Sequence, residues 1–290
     1  MKGAATARLL LLRHGESTLN ASSTFTGLLD APLSPAGEAQ VGVAASLIAE
    51  AGLRPDLIVT TPMLRARRTT DLLLAGLGLT AEAGVDLGGP GPTTRNAGGL
   101  PAPAAGAPVV SRPHPSTTAA GGVREVVTWR LIERDYGCLT GLAKSDARAL
   151  LGEDAFFTLR RTMNGRPPAA SAGQEASWPL EPVADRGPLV PGAGESLADV
   201  VRRVRPVWTD VISPALTAGE VVLVVAHGNS LRALCAVMEH LDDAETECLN
   251  IPAGHPLVYD IRDGVPRGGR YLDHAAARDA ARLVAAEGGT

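Results

Sequence analysis

Lysine is nearly missing from this 290-residue chain: of 27 basic residues, only Lys2 and Lys144 are lysine. The two cations are not interchangeable, so a lysine inside a chain that otherwise uses arginine stands out. Cysteine is scarce as well. Cys138, Cys235 and Cys248 are odd in number and far apart, which argues against a disulfide framework or a zinc site. No apolar run approaches the ~20 residues needed to span a bilayer. Met1 to Arg8 lacks the basic, apolar and cleavage segments of a signal peptide. The formal net charge of -4 speaks against a nucleic-acid partner or an anionic membrane surface, either of which favours a basic face. The expectation is a soluble, cytoplasmic protein.

What is present is an alternation of short apolar runs with helical patterns. Leu9–Leu12 is continuous, apolar and followed by Arg-His-Gly, as in a strand buried on both faces. Ser34-Pro35 opens a helix, with Val41, Ala44, Ala45 and Ile48 at helical spacing and Gly52 as a stop. Leu57–Thr60 reads as a strand, and about Met63–Leu77 as a helix. Towards the other end, Leu197–Ile212 is amphipathic with a kink expected at Pro206. Val221–Ala226 is a strand, Ser230–His240 a helix, and Leu257–Ile261 a final strand, placed at the sheet edge. This is the α/β pattern: helices covering a mostly parallel sheet.

Two stretches break it. Between Gly88 and Gly122, 28 of 35 residues are Gly, Pro, Ala, Ser or Thr, too little apolar surface to offset the entropy of ordering. A flexible excursion is expected there. The stretch 165–194 is Pro-rich but carries Trp178 and Leu180, and reads as a loop laid over the domain. Both ends carry the α/β pattern, so residues 1–290 are expected to form one domain with insertions.

Two histidines stand past the strongest strands, in Arg13-His14-Gly15-Glu16-Ser17 and Ala226-His227-Gly228-Asn229-Ser230. Ligand sites in open α/β sheets lie at the carboxyl ends of strands, and glycine at 15 would let backbone approach a ligand closely. One such histidine would more often be a hydrogen-bonded loop residue; a matched pair is harder to assign to packing. Neither has metal-type spacing to another ligand, and Arg13 would repel a cation. Arginine suits phosphate, and histidine can act as a covalent nucleophile. A histidine nucleophile, a second histidine and several arginines meet the needs of phosphoryl transfer without metal.

The run Leu11-Leu12-Arg13-His14-Gly15-Glu16-Ser17-Thr18 resembles the signature of the histidine phosphatase superfamily. The chain is more specifically similar to the 2,3-bisphosphoglycerate-dependent phosphoglycerate mutases. The likeness continues through Phe25-Thr26-Gly27, Asp30 to Ser34, Leu64-Arg65-Ala66, Trp129 to Gly137, Leu139 to Lys144, Arg160-Arg161, Glu195-Ser196-Leu197, Ala226 to Leu234 and Leu249 to Pro252. The resemblance implies a three-layer α/β/α sandwich of phosphoglycerate mutase type. It implies interconversion of 3-phosphoglycerate and 2-phosphoglycerate, with 2,3-bisphosphoglycerate as priming phosphoryl donor, no metal, and a homo-oligomer, commonly a dimer. By the same resemblance, His14 becomes phosphohistidine, Arg13, Arg65 and His227 surround the phosphoryl group, and Glu133 is the general acid and base. Gly15, Glu16, Ser17, Thr18, Asn20, Thr26, Gly27, Asp135, Gly228 and Asn229 belong to the substrate site; Arg134, Tyr136, Lys144, Arg160 and Arg161 hold the substrate's carboxylate and second phosphate. From residues alone, Glu133 equally suits a salt bridge to Arg134, and Arg160-Arg161 a solvated helix face. Leu19 and Asp135 depart from the family's usual tryptophan and histidine, and the Arg65–Glu133 connection is longer than usual. A phosphatase of a small phosphorylated metabolite on the same scaffold is the alternative.

Overall fold

The computed structural model describes residues 7–86 and 122–286. The excursion expected over 88–122 lies outside the described residues, apart from Gly122. In chain order the strands are β1 (Arg8–Arg13), β2 (Leu57–Thr60), β3 (Thr80–Asp86), β4 (Gly122–Val127), β5 (Val221–Ala226), β6 (Leu257–Arg262) and β7 (Val265–Tyr271). The helices are α1 (Thr18–Ala21), α2 (Pro35–Glu50), α3 (Leu64–Leu77), α4 (Lys144–Leu151), α5 (Glu153–Arg161), α6 (Ala172–Glu175), α7 (Leu197–Val207), α8 (Ser213–Thr217), α9 (Gly228–Glu239), α10 (Asp243–Cys248) and α11 (His274–Ala286).

One seven-stranded sheet runs β3-β4-β2-β5-β1-β6-β7. Its first five strands are mutually parallel, and β6 and β7 add an antiparallel hairpin beside β1. Successive strand residues face opposite sides, and the core divides accordingly. Leu10, Leu12, Ile58, Leu223 and Val225 pack with Val41, Ala44 and Ile48 of α2 and Leu73 of α3. Leu9, Leu11, Val59, Val222 and Val224 pack with Val200 and Val204 of α7 and Leu231 and Leu234 of α9. Helices therefore cover both faces, as the sequence pattern and the resemblance require.

Local chemistry sets the helix ends. Ser34 accepts the Gly37 N–H at 3.0 Å, and Pro35 fills the first position of α2, where its missing N–H costs nothing. α3 has no cap from its own preceding residue; Asp30 supplies one from afar, accepting the Leu64 N–H at 2.7 Å. Gly78 ends α3 in the left-handed conformation. Pro206 sits inside α7, and the chain then widens into a π turn over Trp208–Ile212 before α8, so the expected irregularity takes that form.

Leu257–Ile261 is neither last nor at the edge. β6 lies between β1 and β7, and the edge belongs to β7, which pairs with β6 alone. An edge strand tolerates Pro266, which lacks an N–H for a further ladder. The stretch 165–194 packs closely. Leu29 bridges to Pro182, and a side chain on Gly187 would come within 2.4 Å of the Trp129 ring.

Candidate active site

β1 and β5 lie side by side with Arg13 in register with Ala226, so their following residues emerge together. This places the His14 and His227 rings 4.8 Å apart at an interplanar angle of 60°. Both are buried, at 2% and 0% exposure. The sharp turn after β1 needs a glycine for a reason other than ligand approach: a side chain at Gly15 would meet the Gly37 carbonyl oxygen at 2.4 Å. Gly15 and Gly37 let the loop and α2 touch backbone to backbone.

His14 Nδ1 lies 2.6 Å from the Gly15 carbonyl oxygen, and Arg65 Nε donates to His14 Nε2 at 3.2 Å. An arginine only donates, so Nε2 carries the lone pair and Nδ1 the proton. Arg65, at 1% exposure, also donates to the carbonyls of Leu29 (2.9 Å) and Gly27 (3.2 Å). Burial lowers its pKa to about 10, so it remains a cation at neutral pH. Arg13 Nη1 donates to the Ile251 carbonyl at 3.0 Å. Burial, then Arg65 and Arg13, hold the His14 imidazole well below its ordinary pKa of 6.5. The neutral, nucleophilic form therefore persists in mild acid. Phosphorylation of His14 should stay constant as pH falls through 6.5 and below, whereas an ordinary imidazole would lose about tenfold per pH unit; single-turnover rates at constant substrate ionisation test this. Stability has the opposite dependence. The unfolded chain takes up protons that the buried histidines refuse, so stability falls as pH drops below 6.5.

Glu133, 8% exposed, follows the 3₁₀ turn Trp129–Leu131. Its Oε1 accepts the Arg134 backbone N–H at 2.7 Å and Asn229 Nδ2 at 3.0 Å. Asn229 Nδ2 also donates to the Tyr136 hydroxyl at 2.8 Å. Glu133 and Tyr136 open on a cavity. Arg13, His14 and Arg65 form one part of its wall, Asn20 and 24–27 another, Glu133 and Tyr136 a third, and Lys144, Arg160 and Val284 close it. A nucleophilic nitrogen in a buried cationic nest, beside a carboxylate, is equipped to accept a phosphoryl group and manage the leaving oxygen's proton.

The model of the histidine phosphatase superfamily, branch 1, matches residues 9–87 and 161–273. The chain belongs to the histidine phosphatase superfamily. A 2,3-bisphosphoglycerate-dependent phosphoglycerate mutase of Thermobifida fusca is 39% identical over 97% of this chain and 98% of its own. One of Mycobacterium tuberculosis is 39% identical over 98% and 99%. A mycobacterial glucosyl-3-phosphoglycerate phosphatase shares the fold, with a TM-score of 0.58 at 23% identity over 91% of this chain and 96% of that one. Superfamily membership makes the chain an enzyme of phosphoryl chemistry. No helix among the described residues is long and apolar enough to cross a membrane.

Several expected site residues stand elsewhere in this chain. Arg134 is fully buried and points away from the cavity, donating to the carbonyls of Glu195, Arg160, Leu159 and Gly165. Its guanidinium ties α5 and the 165–194 stretch together; what it gives Glu133 is its backbone N–H. Arg161 turns to the carbonyls of Glu247 and Leu249 and to Asn250 Oδ1 at the end of α10. Its neighbour Arg160 takes the cavity position, 3% exposed and stacked over Phe25 and Phe156 at 5.1 and 5.3 Å, so neither arginine belongs to a solvated face. Asp135 accepts the N–H groups of Gly137 (2.9 Å) and Gly194 (3.2 Å), and burial raises its pKa. Its carboxylate faces the loop, which explains how an acid is accommodated beside an anion site.

Glu16 accepts from the Ser34 hydroxyl at 2.7 Å, and Ser17 caps α1. Exposed Thr18 gives its N–H to Pro32. None of the three lines the cavity. Gly228 and Asn229 open α9, whose positive end lies beside His227. Three residues to which the sequence reading assigns no role matter. Thr61, just past β2, contacts His227 Nε2 at 3.0 Å. Arg232 Nη1 holds Asn229 Oδ1 at 3.2 Å, turning the amide nitrogen towards Glu133. Arg203 pairs with Glu195 beneath Glu133. A polar residue at a strand's carboxyl end was the available signal for Thr61. The two arginines sit on apolar helix faces, where a charge implies a buried partner.

Proposed function

We propose that this enzyme interconverts 3-phosphoglycerate and 2-phosphoglycerate by phosphoryl transfer through His14. One observation carries the reading: Lys144 and Arg160 line the same cavity as His14, Arg65 and Glu133. Hydrolysis of a monophosphate needs cations around the reacting group alone. A second cationic wall suits a substrate with a carboxylate and a phosphate at its far end. The curated relatives with near-complete coverage carry that activity in their names.

In this mechanism His14 Nε2 displaces the substrate oxygen at phosphorus: the N–P bond forms, the P–O bond breaks, and Glu133 supplies the proton to the leaving oxygen. In the reverse sense Glu133 takes the proton from the attacking hydroxyl. Arg13, Arg65, His227, Asn20 and the first-turn N–H groups of α9 spread the charge of the transferring group. 2,3-Bisphosphoglycerate supplies the phosphoryl group that charges His14; Lys144, Arg160 and Tyr136 would hold its far end. The donor set is cationic and neutral, which fits a polyanion, and no cluster among the described residues suits a metal ion.

Supplying 3-phosphoglycerate, with and without catalytic 2,3-bisphosphoglycerate, while following 2-phosphoglycerate and free phosphate together, tests the proposal. Isomerisation should far exceed phosphate release and should require priming. Lys144→Met should raise the KM for 3-phosphoglycerate roughly tenfold or more, the loss of a charged hydrogen bond, and increase the fraction hydrolysed. Phosphate release without isomerisation would replace the mutase with a phosphatase of a small phosphorylated metabolite.

A further inference from the structure

Thr61 is fully buried, and its hydroxyl oxygen has two neighbours. It accepts the Met63 backbone N–H at 3.3 Å and lies 3.0 Å from His227 Nε2. Nδ1 of the same ring is buried without a hydrogen-bond partner among the described residues. Two proton arrangements are open. If Nε2–H donates to Thr61, the hydroxyl proton has no acceptor and the Nδ1 lone pair no donor, leaving two orphans in the interior. If the Thr61 hydroxyl donates to Nε2, one orphan remains, the N–H on Nδ1. Each unpaired buried polar group is costly, so the second arrangement wins.

The imidazole is neutral, because burial first, and then Arg65, His14 and Arg13, lower its pKa well below 6.5. It therefore has one proton to place. The Ser230 hydroxyl anchors the residue by accepting the His227 backbone N–H at 3.1 Å.

We infer that Thr61 is a positioning residue that fixes His227 as the Nδ1–H tautomer, keeping that N–H as a donor for an oxygen of the phosphoryl group received by His14. The opposite tautomer would present a lone pair to an anionic oxygen. The two histidines are then complementary: His14 offers a lone pair at Nε2, and His227 offers a proton at Nδ1. This inference rests on phosphoryl transfer at His14, not on the identity of the substrate.

The test uses the full chain labelled with ¹⁵N-histidine. Long-range ¹H–¹⁵N spectra of the resting enzyme should show His227 with Nδ1 protonated and Nε2 bare. Thr61→Val keeps the side chain's shape and removes its donor. It should populate the Nε2–H tautomer and weaken orthovanadate binding by roughly 10²-fold, the loss of one donor to the transferring group. Thr61→Ser should restore both. A resting His227 protonated on Nε2, or unchanged orthovanadate affinity in folded Thr61→Val, would overturn the inference. The wild-type spectrum decides even if the valine variant fails to fold. Neither readout uses phosphoglycerate, so failure of the mutase reading leaves it standing.

Discussion

Replacing His14 with alanine should lower turnover by roughly 10⁴- to 10⁶-fold, the scale seen when a covalent nucleophile is deleted. The argument is geometric. Among the described residues, His14 presents the one imidazole lone pair that lines the cavity, aligned by the Gly15 carbonyl on one side and Arg65 on the other. His227 cannot substitute, because its Nε2 is engaged by Thr61 at 3.0 Å. Arg65 would keep its bonds to Leu29 and Gly27, so the variant should fold with its cationic nest in place. Incorporation of labelled phosphate into an acid-labile, base-stable adduct should vanish with turnover. Residual activity within about a hundredfold of wild type would show that His14 is not the nucleophile.

The largest stability effect is expected at Arg203, away from the reacting atoms. Its guanidinium grips both oxygens of Glu195 at 2.9 and 3.1 Å, with both side chains under one-tenth exposed. It also donates to the carbonyls of Arg130 (2.6 Å) and Glu133 (3.1 Å), while Glu195 Oε2 accepts the Asp135 N–H at 3.0 Å. The pair thus holds the backbone on both sides of Glu133. Arg203→Met leaves a buried carboxylate without its cation and should cost about 3–5 kcal/mol in urea unfolding. Met at both positions should recover much of that, because the uncompensated charge goes too. Activity should fall with the single variant as the Glu133 backbone loses its support. A single-variant cost below about 1 kcal/mol would mean that the pair is better solvated than its burial indicates.

The sequence was most legible where one physical signal dominated. β1, β2 and β5 are short apolar runs buried on both faces, and α2 announces itself by Ser34-Pro35. β4 alternates partly buried and buried positions but carries Arg124 and Glu125, and it follows the Gly/Pro/Ala-rich stretch, so no strand was expected there. β7 carries Pro266 and Gly268-Gly269, signals of a turn that a strand tolerates only at an edge. In the site, the motifs located the residues but not their directions. Glu133, Arg134, Asp135 and Tyr136 are consecutive, yet Glu133 and Tyr136 face the cavity while Arg134 reaches four carbonyls and Asp135 turns to the loop. Side-chain direction in an irregular segment follows from the tertiary partners each group finds, and no local periodicity encodes it. The same holds for Arg160 and Arg161, where a single step of about 100° around the helix separates a cavity residue from a tie to α10.

The interior position of β1 also governs when the molecule can become an enzyme during its own synthesis. β1 pairs with β5, about 200 residues further along, and with β6 beyond it. At the usual pace of translation, roughly 5–20 residues per second, the first strand waits on the order of 10–40 s for its neighbours. Over that interval the apolar Leu9–Leu12 segment has no ladder to join. His14 and Arg65 emerge early, while His227 and Asn229 arrive only after β5. The two halves of the reaction centre therefore meet late, and a partial chain that ends before Asn229 lacks one of them.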